Sequence, residues 1–401
     1  TEMELMAIKD GRPIFYITDN YGAAVTTRAD KLWPGGSLGL SLDGSSYDKL
    51  GVWDGGDVLL THVEFTDAGP SRVYDMDGSS LVSDHATHVS GTLIAHGVDG
   101  QAKGMGYNGE LDAYEWTDDE TEMAVAAASG MEISNHSYST AAGWYIWGYI
   151  GQTPIWRWAG DSDIDPDEDY QFGFYDIFSQ DWDQIAYDAP NYLIVKSAGN
   201  DRGQGPSYAG TGSDPPVDGY PDGFDCIAHQ ALGKNVLTVG AVSEVLNYTG
   251  PASVAMSDFS SWGPLDDGRI KTDVVAKGVN VYSCVGTGNS DYDTYGGTSM
   301  ASPNTAGTLA LLQKYYQDLN SGTPMRAATL KALAIHTADE CGSFDGPDYR
   351  FGWGLMNAER AAYKIQEDDT EQNVIDESNG LTSSLSQLVE KINNLKESIG
   401  E

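Results

Sequence analysis

Residues 295–312 read YGGTSMASPNTAGTLALL, a glycine-rich turn that delivers Thr298 and Ser299 to the start of an apolar helical run. Pro303 is expected in the first turn of that helix, where a missing N–H is tolerated because the leading amides have no intrahelical partner. This placement sets the Ser299 hydroxyl at the positive end of a helix, where negative charge on an attacked carbonyl is stabilised. A Gly-Thr-Ser turn alone is ordinarily only a loop before a helix. A serine is a weak nucleophile, and it needs a base to take its proton and a third group to hold that base. The upstream sequence therefore decides whether Ser299 carries chemistry.

Two histidines, His85 and His88, lie one helical turn apart in SDHATHVSGTLIAH (83–96), where Ala86, Ser90 and Gly91 would let a helix approach its neighbours closely. A carboxylate, Asp54, ends the short apolar run in LGVWDGGDV (50–58), just before two glycines. Open α/β sheets place their sites at such strand ends. In YLIVKSAGNDRG (192–203), Asn200 follows another apolar run, and its side-chain amide can donate to an oxyanion.

Around these segments, β-like and helix-like runs alternate from Leu50 to about Lys364. Candidate strands are 50–53, 111–116, 131–138, 192–197, 235–242 and 279–284, and candidate helices are 120–129, 305–317 and 329–338. Alternation of this kind predicts an α/β fold, a three-layer sandwich with a mostly parallel central sheet covered by helices on both faces. The aromatic-rich stretch from Trp144 to Asp183 reads as a loop-like insertion. Residues 1–46 read as an N-terminal extension wrapping a catalytic domain of residues 47–366. Residues 367–401 read as a linker and an amphipathic C-terminal helix: Val374, Leu381, Leu388 and Leu395 recur every seventh residue, with Leu385, Ile392 and Ile399 as a second series. That 4,3 spacing marks a helical seam that suits docking on the catalytic domain, a tether to a larger assembly or, the favoured reading, a coiled coil in a homo-oligomer.

Taken in order, Asp-Gly-Gly after an apolar strand, His-Ala-Thr-His-Val-Ser-Gly-Thr, Ser-Ala-Gly-Asn and Gly-Thr-Ser-Met-Ala-Ser-Pro resemble the motifs of subtilisin-like serine peptidases, the subtilases. FSSWGP (259–264), KNVLTVGAV (234–242) and FGWGLMNAERAA (351–362) extend the resemblance over roughly residues 46–365. It implies a serine endopeptidase with Ser299 as nucleophile, His85 as proton shuttle, Asp54 orienting His85, and Asn200 with the Ser299 amide holding the oxyanion. It also implies that Ser137, Tyr138 and Ser139 and Ser197, Ala198 and Gly199 bind the substrate main chain by antiparallel strand pairing, and that Thr298 is a further substrate-binding residue. Ala86 stands where the family usually has glycine, Gly55 where it has threonine or serine, Asn304 and Thr305 where His-Val is common, and Lys277 where proline is usual; none removes a reacting group. A retired enzyme kept as a binding module is the competing reading, and the four retained groups argue against it.

Sixty acidic residues against 22 basic give a net charge of −38, which repels phosphate backbones and anionic headgroups. Nucleic acid and membranes are therefore not expected partners; a protein or peptide substrate is. No apolar run reaches the roughly 18 residues that would span a bilayer. The opening residues TEMELMAIKDGRPIFYITDN show no secretory leader, and the family resemblance points to an extracellular location. Cys226, Cys284 and Cys341 could form one bridge and a free thiol, or stay as three buried thiols. No cofactor is required for the chemistry. The acidic runs 75–84 and 161–170 suit either structural calcium or a solvated surface, so metal ligands are not assigned.

Overall fold

The computed structural model describes residues 4–9, 12–16, 20–66, 69–78, 81–212, 214–371 and 375. Its frame is a seven-stranded sheet in which every neighbouring pair is parallel. Across the sheet the strands run Val274–Lys277, Leu237–Val242, Leu193–Ser197, Ile133–His136, Leu50–Asp54, Leu111–Glu115 and Val73–Asp75. Leu193–Ser197 and Leu237–Val242 are buried at every position, as expected of strands covered on both faces. Leu193 and Val195 pack on one side with residues of helices Asp84–Ile94 and Thr298–Leu319. Ile194 points the other way, joining Trp53 with Met123 and Trp182 from helices Asp119–Ala128 and Ile177–Asp188. The three-layer α/β architecture read from the sequence is present.

Two expectations need correction. The run 279–284 forms a strand, Val281–Cys284, but it pairs antiparallel with Tyr292–Tyr295 outside the main sheet. The chain turns between it and the preceding sheet strand, with Asn280 at φ 50°, so it cannot extend that strand. The stretch from Trp144 to Asp183 is not simply a loop. Trp144–Ile150 and Thr153–Trp158 form an antiparallel hairpin turned at Gly151 (φ 63°), and helix Ile177–Asp188 begins at an Asp176 side chain that accepts from the Ser179 amide. The aromatic and β-branched residues that looked like a surface insertion favour a pleated strand, even where Trp147 and Tyr149 stay exposed.

Before the first sheet strand, Tyr21–Thr27 forms a short helix that buries Ala23 and Ala24, and Thr27 Oγ1 donates to Asn304 Oδ1 at 3.1 Å. The heptad residues Val374 to Ile399 lie outside the described residues. Among the described residues, no helix is long and apolar enough to cross a membrane. All three cysteines are free and buried.

Helix Asp84–Ile94 sits hard against the Val281–Cys284 strand. A Cβ on Gly91 would lie 2.3 Å from Ser283 Oγ and 2.5 Å from Cys284 Sγ. Gly91→Ala is therefore expected to destabilise the fold by about 1–3 kcal/mol despite alanine's better helix propensity. Chemical denaturation that finds the variant as stable as the parent, or more so, would contradict this packing.

Candidate active site

Reading the sheet in chain order, the first strand, Leu50–Asp54, lies between Leu111–Glu115 and Ile133–His136. The chain leaves Asp54 for one edge of the sheet, then returns to build the other side, so the strand order switches between Leu50–Asp54 and Ile133–His136. Open parallel sheets form their binding crevice at the carboxyl ends of strands at such a switch. Asp54 is the last residue of one of these strands and Ser137 follows the other.

Asp54 is buried, and its Oδ1 accepts from the Gly55 amide at 2.8 Å and lies 2.7 Å from His85 Nδ1. Its Oδ2 is buried without a hydrogen-bond partner among the described residues. Glycine at position 55 has a steric cause: a Cβ there would lie 2.8 Å from the Trp116 ring. His85 is the second residue of helix Asp84–Ile94, which Ser83 caps by accepting from the Ala86 amide. Burial lowers the His85 pKa, but the charge and hydrogen bond of Asp54 outweigh it, and the net shift is upward. The imidazole is 38 % exposed and so accessible from the crevice. His88 is fully buried, stacks on Tyr295 and meets the Val281 carbonyl at 2.9 Å; burial drives its pKa down to about 3. It faces the interior, as a packed histidine does.

Ser299 is the second residue of the 22-residue helix Thr298–Leu319. Pro303 is the sixth residue of that helix, beyond the first turn in which the sequence reading placed it. Having no N–H, Pro303 leaves the carbonyl four residues earlier, that of Ser299, without its helical donor. Ser137 Oγ donates to that carbonyl at 2.9 Å. In return Ser299 Oγ donates to the Ser137 carbonyl at 3.0 Å. This reciprocal pair fastens the helix start to the sheet at the switch point. A second bond, Ser302 Oγ to Asn135 Oδ1 at 2.7 Å, reinforces it.

Asn200 follows strand Leu193–Ser197 and accepts through Oδ1 from both the Thr298 amide (2.9 Å) and the Thr298 hydroxyl (3.0 Å). A backbone N–H can only donate, so the amide orientation is fixed and Nδ2 faces away from Thr298. Thr298 itself is buried, and its Oγ1 accepts from the Gly199 amide at 3.2 Å.

The remaining sequence candidates are placed as follows. Ser139 is exposed beside the crevice. Tyr138 turns its ring inward: its hydroxyl donates to Asp119 at 2.6 Å and lies 3.0 Å from His136 Nδ1. Burial, then the Asp119 charge, push its pKa well up. Ser197 and Ala198 are buried, the Ala198 amide donates to the Val239 carbonyl, and the Gly199 carbonyl accepts from the Ser261 amide. Among the described residues, no group of three or more His, Cys, Asp and Glu side chains is arranged to hold a metal ion. Asp161 and Asp165 accept from backbone amides of their own loop.

One residue beside the candidate site escaped the sequence reading. Lys196 is fully buried at the penultimate position of strand Leu193–Ser197, and its Nζ donates to the Tyr138 carbonyl and to Ser197 O (3.3 Å) and Oγ (3.2 Å). The signal was a lysine inside the otherwise apolar run YLIVKS.

The subtilase family model matches residues 61–354, a span that includes His85, Asn200 and Ser299 and begins just after Asp54. The C5a peptidase of Streptococcus pyogenes is 32% identical over 176 residues, 40% of this chain but only 14% of that protein. Subtilisin DY of Bacillus licheniformis is 25% identical over 341 residues, 84% of this chain and 96% of its own. In fold, the CspB protease of Clostridium perfringens superposes with a TM-score of 0.61 at 16% identity, covering 86% of this chain and 99% of that one. With the family model covering most of the sheet and its crevice, the chain belongs to the subtilase family of serine peptidases.

Proposed function

We propose that the protein is a serine endopeptidase that cleaves peptide bonds through an acyl-enzyme on Ser299. The observation that carries this reading is the 2.7 Å contact between buried Asp54 and His85 Nδ1, which leaves Nε2 as the ring atom able to accept a proton. Asp54 orients the imidazole and stabilises the imidazolium once it forms. Ser299 Oγ attacks the scissile carbonyl while His85 Nε2 takes the hydroxyl proton. The resulting oxyanion receives hydrogen bonds from Asn200 Nδ2 and the Ser299 amide. The C–N bond then breaks, His85 returns the proton to the leaving amine, and water, deprotonated by His85, releases the acyl group.

The bond from Ser299 Oγ to the Ser137 carbonyl fits this scheme as a resting contact. A substrate laid as an extended strand beside Ser137–Ser139 presents a main-chain N–H to the same carbonyl. Competition for that acceptor frees the hydroxyl to turn to His85. Catalytic hydrogen bonds that tighten only when substrate binds are common. The reaction draws on side-chain and backbone groups alone, and the substrate class is protein or peptide.

A fluorophosphonate probe is expected to label the wild type and not Ser299→Ala. Loss of peptide turnover in that variant is expected on the order of 10⁶ in kcat, the scale established for subtilisin itself. Equal labelling of both proteins would refute the assignment. Asn200→Ala should reduce kcat about 10²–10³-fold with little change in KM; an effect confined to KM would remove Asn200 from oxyanion binding.

The reaction needs neutral His85, and Asp54 raises its pKa above the usual imidazole value. Activity is therefore lost as pH falls through that raised value, and the acidic limb of kcat/KM lies above the pH at which a free imidazole titrates. In Asp54→Asn the raising charge is gone while burial still lowers the pKa, so the limb of the residual activity moves to lower pH. A limb that stays in place would show that Asp54 does not set the base.

A further inference from the structure

The Leu193–Ser197 strand brings a cation to the floor of the crevice. Lys196 lies opposite His136 in the parallel ladder, on the face of the sheet that carries Trp53 and Trp182. Burying an ammonium is costly unless its donors are satisfied. Here the acceptors are neutral: the carbonyls of Tyr138 and Ser197 and the Ser197 hydroxyl. Those acceptors belong to the two segments that border Ser299 and Asn200. One ammonium therefore ties together the two walls of the crevice.

The direction of the Tyr138 carbonyl matters. Successive carbonyls in extended backbone point to opposite sides. The Ser137 carbonyl is turned to the crevice, where Ser299 Oγ reaches it, and the Tyr138 carbonyl is turned inward onto Lys196. Holding the inward carbonyl fixes the outward set, which is the edge a substrate strand would pair with.

The charge reaches further than the hydrogen bonds. Asp201 from the loop after the strand, Asp119 from the Asp119–Ala128 helix and Asp54 from the neighbouring sheet all act on the ammonium through space, and His136 faces it from the adjacent strand. Burial nonetheless pulls the Lys196 pKa down to about 7. Asp54 Oδ2 has no hydrogen-bond donor among the described residues. The carboxylate that holds His85 is thus among those that the Lys196 charge meets through space.

We infer that Lys196 is a positioning residue for the peptidase reaction, clamping the Tyr138 and Ser197 segments so that the crevice edge is set for an extended peptide, and tempering the pull of Asp54 on His85 through its charge. This rests on the proposed peptidase reading. It extends that reading by assigning the buried lysine a part in peptide binding and in the pH dependence.

The test compares a small fluorophosphonate, which needs Ser299 and His85 but not the crevice edge, with an octapeptide substrate that needs both. Lys196→Met is expected to raise KM for the octapeptide about ten- to a hundredfold, while probe labelling, read at a pH above the acidic limb of both proteins, stays within about threefold of wild type. Removing a positive charge near Asp54 and His85 favours the imidazolium, so the acidic limb of kcat/KM should move to higher pH. Lys196→Gln, which keeps an N–H donor without charge, should move the limb in the same direction with a smaller rise in KM; it also serves if the methionine variant does not fold. An unchanged KM and limb in the folded variants, or equal losses of probe labelling and octapeptide turnover, would overturn the inference. Absence of labelling in the wild type would instead defeat the peptidase reading itself.

Discussion

The placement of Ser299 depends on a helix held almost wholly inside the protein. Thr298–Leu319 buries nearly every residue through Gln313, including serine, asparagine and threonine side chains that would be destabilising there if left unpaired. Thr305 and Thr308 return their hydroxyls to carbonyls four residues earlier, Asn304 accepts from Thr27, and Gln313 bonds both backbone groups of Met325. These bonds fix the helix along its length and in rotation. The one carbonyl that Pro303 leaves open at the helix start is that of Ser299, and the sheet supplies its donor through Ser137. The apparent defect in the helix is therefore the point at which helix and sheet are joined.

That join gains its meaning from the topology. The strands ending at Asp54 and leading to Ser137 flank the place where the sheet order switches, which is where an open parallel sheet forms its crevice. Asn200 enters from the next strand over, and Thr298 binds it directly. Four segments far apart in sequence thus meet through backbone-anchored hydrogen bonds, which hold a site more rigidly than contacts between long side chains would.

The legible parts of the molecule were those with a local cause. Apolar runs such as YLIVKS and NVLTVGAV gave sheet strands, because a strand buried on both faces must be apolar almost throughout. The side chains of the candidate site could be picked out because each sits beside a turn or helix start with its own sequence mark. The parts that were missed have causes remote in sequence. Val281–Cys284 reads like any sheet strand, and only the turn before it sends it into a separate hairpin. The Trp144–Trp158 hairpin leaves aromatic residues exposed, so burial could not identify it as structured. Gly55 looked like a loss of a hydroxyl, but its cause is the ring of Trp116, just past the end of a strand more than fifty residues on. Lys196 was unremarked because periodicity records which residues are buried, not which carbonyls a buried cation will meet.

The acidic composition sharpens the significance of that lysine. With 22 basic residues against 60 acidic, a buried cation has many potential carboxylate partners. Lys271 takes Asp273 at 2.7 Å and Lys277 takes Glu244 at 2.7 Å, each forming a local pair. Such pairing largely cancels the field that a charge projects through the interior. Lys196 is held instead by two carbonyls and a hydroxyl, which satisfy its donors without neutralising it. When protonated, below about pH 7, its charge acts at longer range, on Asp54, Asp119 and Asp201 together. In a protein dominated by negative charge, a cation solvated by neutral groups moderates several carboxylates at once, and Asp54 is the one among them that grips His85.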